Sequence, residues 1–406
     1  MKFKQPLIGN AEALYDYACS VPVIDTHEHI PKSEEDYNQA TIRFGHLFNP
    51  YVSNDLASAG MPFPKDQWAA FVCIEDDWEA VKHGSYARPL RIALEYFYDV
   101  DDLTRENFLD VVERINEANT PGIYKRVFND ACGIERSVLC SGVLPDRDDP
   151  LIVGNINSSS MMLTGKASLD AMSEEIGGSA INCLDELEEI SGEWMALKVS
   201  QGAMEFKSRA MPVERPDRDE AAAALSNLLK EETTSDEEMC HLSAWLREAN
   251  AVKCAELGVP LALHTGVWND FRTLSVSDII GFIERNPDTR MDIYHLGIPD
   301  VRTAIQVVKN YPNAYLNLCW AHVVASYMVV NTMNEAVDMV PMNKIFAFGA
   351  DYVLFVEKVY GHLLLARENV ALVLGDRVDR NLMDMSEAME TLKAWFYDNP
   401  KQFYGL

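Results

Sequence analysis

The sequence predicts a (β/α)₈ barrel, an α/β fold of eight parallel strands ringed by helices. Three observations carry the prediction. Eight short, apolar, β-rich runs recur along the 406 residues, amphipathic stretches follow most of them, and several runs end in a histidine, lysine or aspartate. Strands that are apolar throughout and alternate with helices belong in a parallel sheet covered on both faces. Eight of them suit a barrel of about 250 residues enlarged by insertions.

The first run, Val21–Asp25, leads into His27-Glu28-His29. Helical patterns at Lys65–Val81 and Asn107–Glu117 then mark residues 30–134 as a mainly helical insertion capping one barrel face. The second and third runs, Glu135–Cys140 and Leu151–Ile156, are separated by only ten residues, Ser141–Pro150. A crossover with its helix usually needs about a dozen, so either a loop replaces that helix or one run is not a barrel strand. The fourth run is Trp194–Val199. The stretch Glu205–Leu257 reads as mostly helical and is expected to hold the fourth barrel helix plus an extra one.

Val259–His264, Met291–His295, Ala314–Trp320 and Ile345–Asp351 complete the eight. Helices are expected at Ser277–Asn286, Asp300–Asn310, His322–Val340 and Glu357–Leu374. The first two open on cap-forming Ser or Asp and stop before Pro287 and Pro312. The C-terminal segment from Ser386 reads as an amphipathic helix, a turn at Pro400 and an aromatic tail. It is expected to dock on the barrel, a homo-oligomer contact being the alternative. The whole chain, 1–406, is read as one barrel domain.

Composition narrows the function classes. The chain is 48% hydrophobic and 24% charged, as in an ordinary globular protein. Its 63 acidic against 35 basic residues leave a formal charge of −28, a field that repels nucleic acid and acidic membranes. No window of eighteen apolar residues or signal peptide is evident. The eight cysteines are scattered without a C-x-x-C pair, the pattern of reduced thiols in a cytoplasmic protein. A small-molecule substrate is expected.

In such a barrel, side chains at the C-terminal strand ends converge on the active site. His27 and His29 lie just past the first run, Lys198 near the end of the fourth and His264 at the end of the fifth; His295 ends the sixth and Asp351 the eighth. Residues two apart in extended chain face the same way, so His27 and His29 can share one divalent ion at roughly 2.0–2.1 Å each, with Glu28 turned away. Imidazoles with a carboxylate suit zinc, manganese or iron. Singly, each residue has an ordinary structural reading, such as a satisfied core histidine or a loop-capping aspartate. Jointly, ligand types at five strand ends make that reading untenable. His46, His83, His241, His322 and His362 are read as structural, with His322 nearest to a strand end.

The ordered set IDTHEHI, LALHTG, IYHLG, NLCW and FGADY resembles the amidohydrolase superfamily, most closely its amidohydrolase-related (amidohydrolase 2) branch, from about Val21 to about Val378. The resemblance implies a metal-centred barrel that hydrolyses amides, esters or lactones. Some members decarboxylate acids, and the sugar-acid (uronate) isomerases are distant relatives. It further implies that His27, His29 and Asp351 hold the more buried metal and that Asp351 shuttles the proton. His264 and His295 would complete that site or hold a second ion, with His295 or the metal polarising the scissile carbonyl. In binuclear members a carboxylated lysine on the fourth strand bridges the ions, a place that falls to Lys198. The expected function is therefore a hydrolase using one or two divalent ions, zinc first, with manganese or iron as alternatives. A decarboxylase or uronate-type isomerase is the second reading and a non-catalytic metal-binding protein the third.

Two features bear on the substrate. The segment QGAMEFKSRAMPVERPDR carries Lys207, Arg209, Arg215 and Arg218. It reads either as a carboxylate clamp for an acidic substrate, with Arg209 the candidate, or as a solvated loop paired to Glu205, Glu214 and Asp217. Trp268 and Trp320 are candidate pocket walls, Trp320 the better placed.

Overall fold

The structure, a computed structural model, describes residues 4–49, 51–60, 75–156, 166–178, 180–211, 215–230, 235–266 and 274–406. Eight parallel strands pair in sequence order: β1 (Val23–Glu28), β2 (Ile134–Ser141), β3 (Ile152–Ile156), β4 (Ala203–Arg209), β5 (Leu261–His264), β6 (Met291–Tyr294), β7 (Ala314–Asn317) and β8 (Ile345–Phe346). The segment after β8 returns to β1 through three backbone hydrogen bonds. Thr26 N donates to Phe348 O (3.1 Å), Asp351 N to His27 O (2.8 Å) and His29 N to Tyr352 O (2.9 Å). The (β/α)₈ barrel is therefore nearly closed, with helices between most of its strands.

One expected strand is a helix. Trp194–Val199 lies within the 17-residue helix Leu184–Ser200, whose Trp194 and Met195 are buried. The chain turns at Gly202 (φ +111°), a conformation that disfavours any side chain, and only then enters β4. The fourth strand is therefore AMEFKSR, inside the segment read from sequence as a loop. Its alternate residues Glu205 and Lys207 are polar yet buried. They face the barrel axis, so the strand lacks the apolar signature expected of it.

The short second connection resolves in favour of the loop. β2 and β3 are adjacent parallel strands, with Ser137 opposite Ile152 and Ser141 opposite Ile156, and no helix separates them. The loop lies directly on β3. A Cβ at Gly154 would come within 2.4 Å of Leu144 Cδ2, so only glycine lets Leu144 cover the strand there.

Between β1 and β2 the described chain is helical at Glu34–Gln39, Phe44–Phe48, Val52–Ser58, Glu75–Val81, Ala87–Tyr98 and Phe108–Ala118. The expected helix Asn107–Glu117 thus appears one residue later, while most of Lys65–Val81 lies outside the described residues. After β4 come Arg218–Leu229 and Asp236–Leu257, the latter opened by a Ser235/Glu238 capping box. Together with Leu184–Ser200 they enclose a satellite core that includes Leu187, Ala224, Leu225 and Leu242. At the C-terminus, Phe403 and Tyr404 pack against Val138 of β2 and Phe346 of β8, so the aromatic tail docks on the barrel. Among the described residues no helix is long and apolar enough to cross a membrane.

Candidate metal centre and active site

A cavity of about 220 Å³ opens at the C-terminal strand ends, lined by His27, His29, Tyr51, Lys207, His264, His295, Trp320, Asp351 and Val353. Six of these are ligand-type residues from β1, β4, β5, β6 and the segment after β8. His27 and His29 do face one way: Asp351 Oδ1 is 3.4 Å from His27 Nε2 and 3.5 Å from His29 Nε2. Glu28 is turned aside and buried, and its Oε2 accepts from Tyr352 N at 2.7 Å. Asp25, also buried on β1, accepts from Ala350 N at 3.1 Å and from Ser137 Oγ at 3.1 Å. Two carboxylates beneath the site thus hold the backbone that carries Asp351.

Lys198 does not take part. It projects from the helix before β4 and bonds Glu175. The lysine at the centre is Lys207 of β4, whose Nζ is 3.1 Å from His27 Nε2. The correction follows from the strand assignment: the lysine that faces the axis is the one on the true fourth strand. On the opposite side of the cavity, His295 Nε2 is 3.0 Å from His264 Nδ1. The other ring nitrogen of His295 lies 3.4 Å from both Cys319 O and Cys319 Sγ.

Burial lowers the pKa of the imidazoles and raises that of the carboxylate. Burial, then the charge of Lys207 and neighbouring histidines, holds His27 well below the ordinary histidine pKa. His264 and His295 are lowered the same way, burial first, and His29 is brought down to about 3. Neutral imidazoles keep the lone pairs that metal binding requires. Asp351 is raised from 3.8 to about 6 by burial, with Lys207 and Tyr51 pulling it back.

The backbone is strained at three residues that line the cavity. His295 (φ +70°), Trp320 (φ +63°) and Asp351 (φ +62°) are all left-handed, at about 1–2 kcal/mol each for residues with side chains. Such conformations persist where the surroundings over-determine them. Here Trp320 N donates to Gly349 O (2.8 Å) and Asp351 N to His27 O (2.8 Å).

Trp320 lines the cavity as expected. It lies against Tyr51 (centroids 5.0 Å) and stacks near-parallel with Tyr86 (6.1 Å), both contributed by the segment between β1 and β2. Tyr51 OH donates to Asp351 O at 2.7 Å. Trp268 lies outside the described residues. Arg209 ends β4 opposite His264 with its side chain exposed. Arg218 bonds Asp185 and Arg215 lines a separate groove with Glu188 and Trp245, so four cations do not converge on the mouth. His322 is buried away from the cavity, with Nε2 on Ala347 O (2.8 Å) and Nδ1 accepting from Asn369 (3.1 Å), a structural histidine.

Sequence reading placed Lys207 in a basic loop instead of on the fourth strand, and missed Tyr51. Lys207 had a signal, an inward lysine two residues from Glu205 on an alternating strand. Tyr51 had none, because it arrives from an insertion.

The sequence model of the amidohydrolase family matches residues 193–406, more than half of the chain. The chain belongs to this family. Solved structures similar to it include a uronate isomerase from Thermotoga maritima (14% identity, TM-score 0.79, 98% of this chain and 100% of that one). A glucuronate isomerase from Caulobacter crescentus (15%, 0.76, 100% and 96%) and a protein described as a metal-dependent hydrolase from Lactobacillus casei (17%, 0.68, 97% and 97%) are also similar. At these identities the likeness is one of fold. No curated protein matches the chain.

The donor set of this chain fits a divalent cation. Ligand atoms of His27, His295 and Asp351 lie within 4.8 Å of one another, and so do those of His27, His29 and Cys140. Nitrogen donors with a carboxylate are borderline ligands suited to zinc and its neighbours.

Proposed function

We propose that this chain is a metal-dependent hydrolase that cleaves an amide, ester or lactone bond of a small molecule. The observation that carries the reading is the gathering of His27, His29, Lys207, His264, His295 and Asp351 around one small cavity. Bound by these residues, one or two divalent ions, zinc foremost, would acidify water and polarise a carbonyl. The amidohydrolase resemblance assigns the bridging, carboxylated lysine to the fourth strand, and that lysine is Lys207.

The chain's own groups supply the rest. Asp351 is largely ionised at pH 7 with a pKa of about 6, so its carboxylate can take a proton from water and return it to the leaving group. Tyr51 holds the carbonyl oxygen of the same residue, which fixes the loop bearing the carboxylate. Trp320 and Tyr51 wall the cavity on one side, with Tyr86 stacked against both rings. At about 220 Å³ the cavity suits a small substrate. An acidic substrate would meet the bound cation inside and Arg209 of β4, whose register partner on β5 is His264.

Asp351→Asn, purified with its metal intact, tests the shuttle: turnover near wild type would overturn it. Arg209→Ala is expected to raise KM for a carboxylated substrate, and an unchanged KM removes that residue from recognition. A second reading, isomerisation of a sugar acid, is favoured by superposition on uronate and glucuronate isomerases over nearly the whole of both chains. A panel of lactones, esters, amides and uronates separates the two. Conversion of a uronate to a ketose without hydrolysis would replace the first reading by the second.

A further inference from the structure

Cys140 has no place in the scheme above, yet it occupies the same side of the barrel as the centre. It is the penultimate residue of β2, buried at 1% exposure, and pairs in register with Asn155 of β3. Asn155 points into the barrel interior, where it bonds Glu205 and lies 3.2 Å from Tyr294 OH. The thiol is within hydrogen-bonding reach of Lys207, whose Nζ is also 3.1 Å from His27 Nε2. One lysine side chain therefore already reaches both the thiol and the imidazole. Sγ of Cys140 and one ring nitrogen each of His27 and His29 lie within 4.8 Å of one another. The remaining ring nitrogen of His27, Nδ1, is buried without a hydrogen-bond partner, so hydrogen bonding to protein does not account for every nitrogen of this ring.

We propose that Cys140 is a thiolate ligand of the metal held by His27 and His29, giving this centre a preference for thiophilic cations. The proposal rests on the reading of this site as a metal centre and deepens it. Binding forms a sulfur–metal bond and releases the thiol proton to solvent. A sulfur donor among imidazoles favours zinc, cobalt and cadmium over manganese, because soft donors select soft cations while oxygen donors select hard ones. Cys319, the other buried thiol near the site, is set apart by its position: its Sγ lies against His295 Nδ1 and it belongs to neither group of converging ligand atoms.

Metal-free protein titrated with Co²⁺ tests the proposal independently of turnover. Wild type and Cys319→Ser are expected to develop a near-ultraviolet sulfur-to-cobalt charge-transfer band at saturation. Cys140→Ser is expected to bind Co²⁺ without that band and to lose about tenfold or more in Cd²⁺ affinity while Mn²⁺ affinity stays within about threefold. Zinc-edge X-ray absorption on the wild-type protein, which needs no variant, should report one sulfur scatterer. Stoichiometric metal with no sulfur scatterer, or a band that survives in Cys140→Ser, overturns the thiolate and leaves the hydrolase reading standing. Failure of the wild type to bind Co²⁺ or Zn²⁺ overturns both.

Discussion

Replacing Gly349 with alanine forces a methyl group into the seam between β1, the loop after β7 and the segment that follows β8. The new Cβ would lie 2.5 Å from Cys319 Cβ, 2.7 Å from Thr26 Oγ1 and 3.0 Å from His27 N. None of these can swing away. Thr26 Oγ1 is tied to Asn317 Oδ1 (3.0 Å) and Phe348 O (2.9 Å), Cys319 Cβ follows its backbone, and His27 N belongs to a candidate ligand. Relief requires the strands to part, and overpacking of this kind costs about 1–3 kcal/mol. At roughly 2.1 cal/mol/K per residue, 406 residues carry an unfolding entropy of about 0.85 kcal/mol/K, so Tm should fall by about 1–4 °C. Metal retention should suffer more than stability, because the displaced atoms are those that set His27 against Asp351. Calorimetry and metal analysis of the same preparation give both numbers. An unchanged Tm with full metal content would refute the tight packing argued for this seam.

Lys207→Met is expected to abolish metal-dependent turnover, whereas Lys198→Met should change stability by no more than about 0.5 kcal/mol and leave turnover alone; equal effects in the two variants would contradict the assignment of the fourth strand. Lys358 is buried and donates to the carbonyls of His46, Leu47 and Asn49 at 3.0, 3.3 and 2.5 Å. Lys358→Met should therefore cost roughly 3 kcal/mol in chemical denaturation, and an unshifted midpoint would show those bonds to be dispensable. Asp292, raised from 3.8 to about 7 by burial, keeps its proton in the folded state after the unfolded chain has lost it. Its contribution to stability is therefore greatest below pH 3.8 and is lost as pH rises to about 7, by up to about 1.4 kcal/mol per pH unit. The stability of Asp292→Asn relative to wild type should rise over that window; a pH-independent difference would show that Asp292 does not hold the proton.

Much of the site was legible because histidine is rare and strand ends are few. His27, His29, His264, His295 and Asp351 lie at or just past apolar runs whose cores the structure uses as strands, and all five line one cavity. Lys198 illustrates where such reading stops. EWMALKVS is apolar enough to pass as a strand, yet it is the last part of a 17-residue helix, and short apolar runs do not distinguish the two by period. The true strand was hidden because its inner face carries Glu205 and Lys207, whose burial depends on partners elsewhere in the chain. Glu205 accepts from Tyr294 OH at 2.7 Å and from Asn155. Tyr51 was beyond reach for a related reason: its contact with Asp351 spans 300 residues and no local pattern encodes it.

The closure between β8 and β1 makes the candidate site the clasp of the barrel. His27 and His29 stand on one edge of that junction and Asp351 on the other, and the Glu28–Tyr352 bond across it joins positions 324 apart in sequence. Bringing such distant segments together costs about 5 kcal/mol of chain entropy, a cost that a cation bound across the junction helps to offset. On the proposed reading, metal supply would then govern integrity as well as turnover. A growing chain has no such junction until Asp351 has followed His27 by 324 residues, and a protein stripped of metal is expected to open first along this edge, exposing β1 and the segment after β8 to proteolysis before the middle of the barrel.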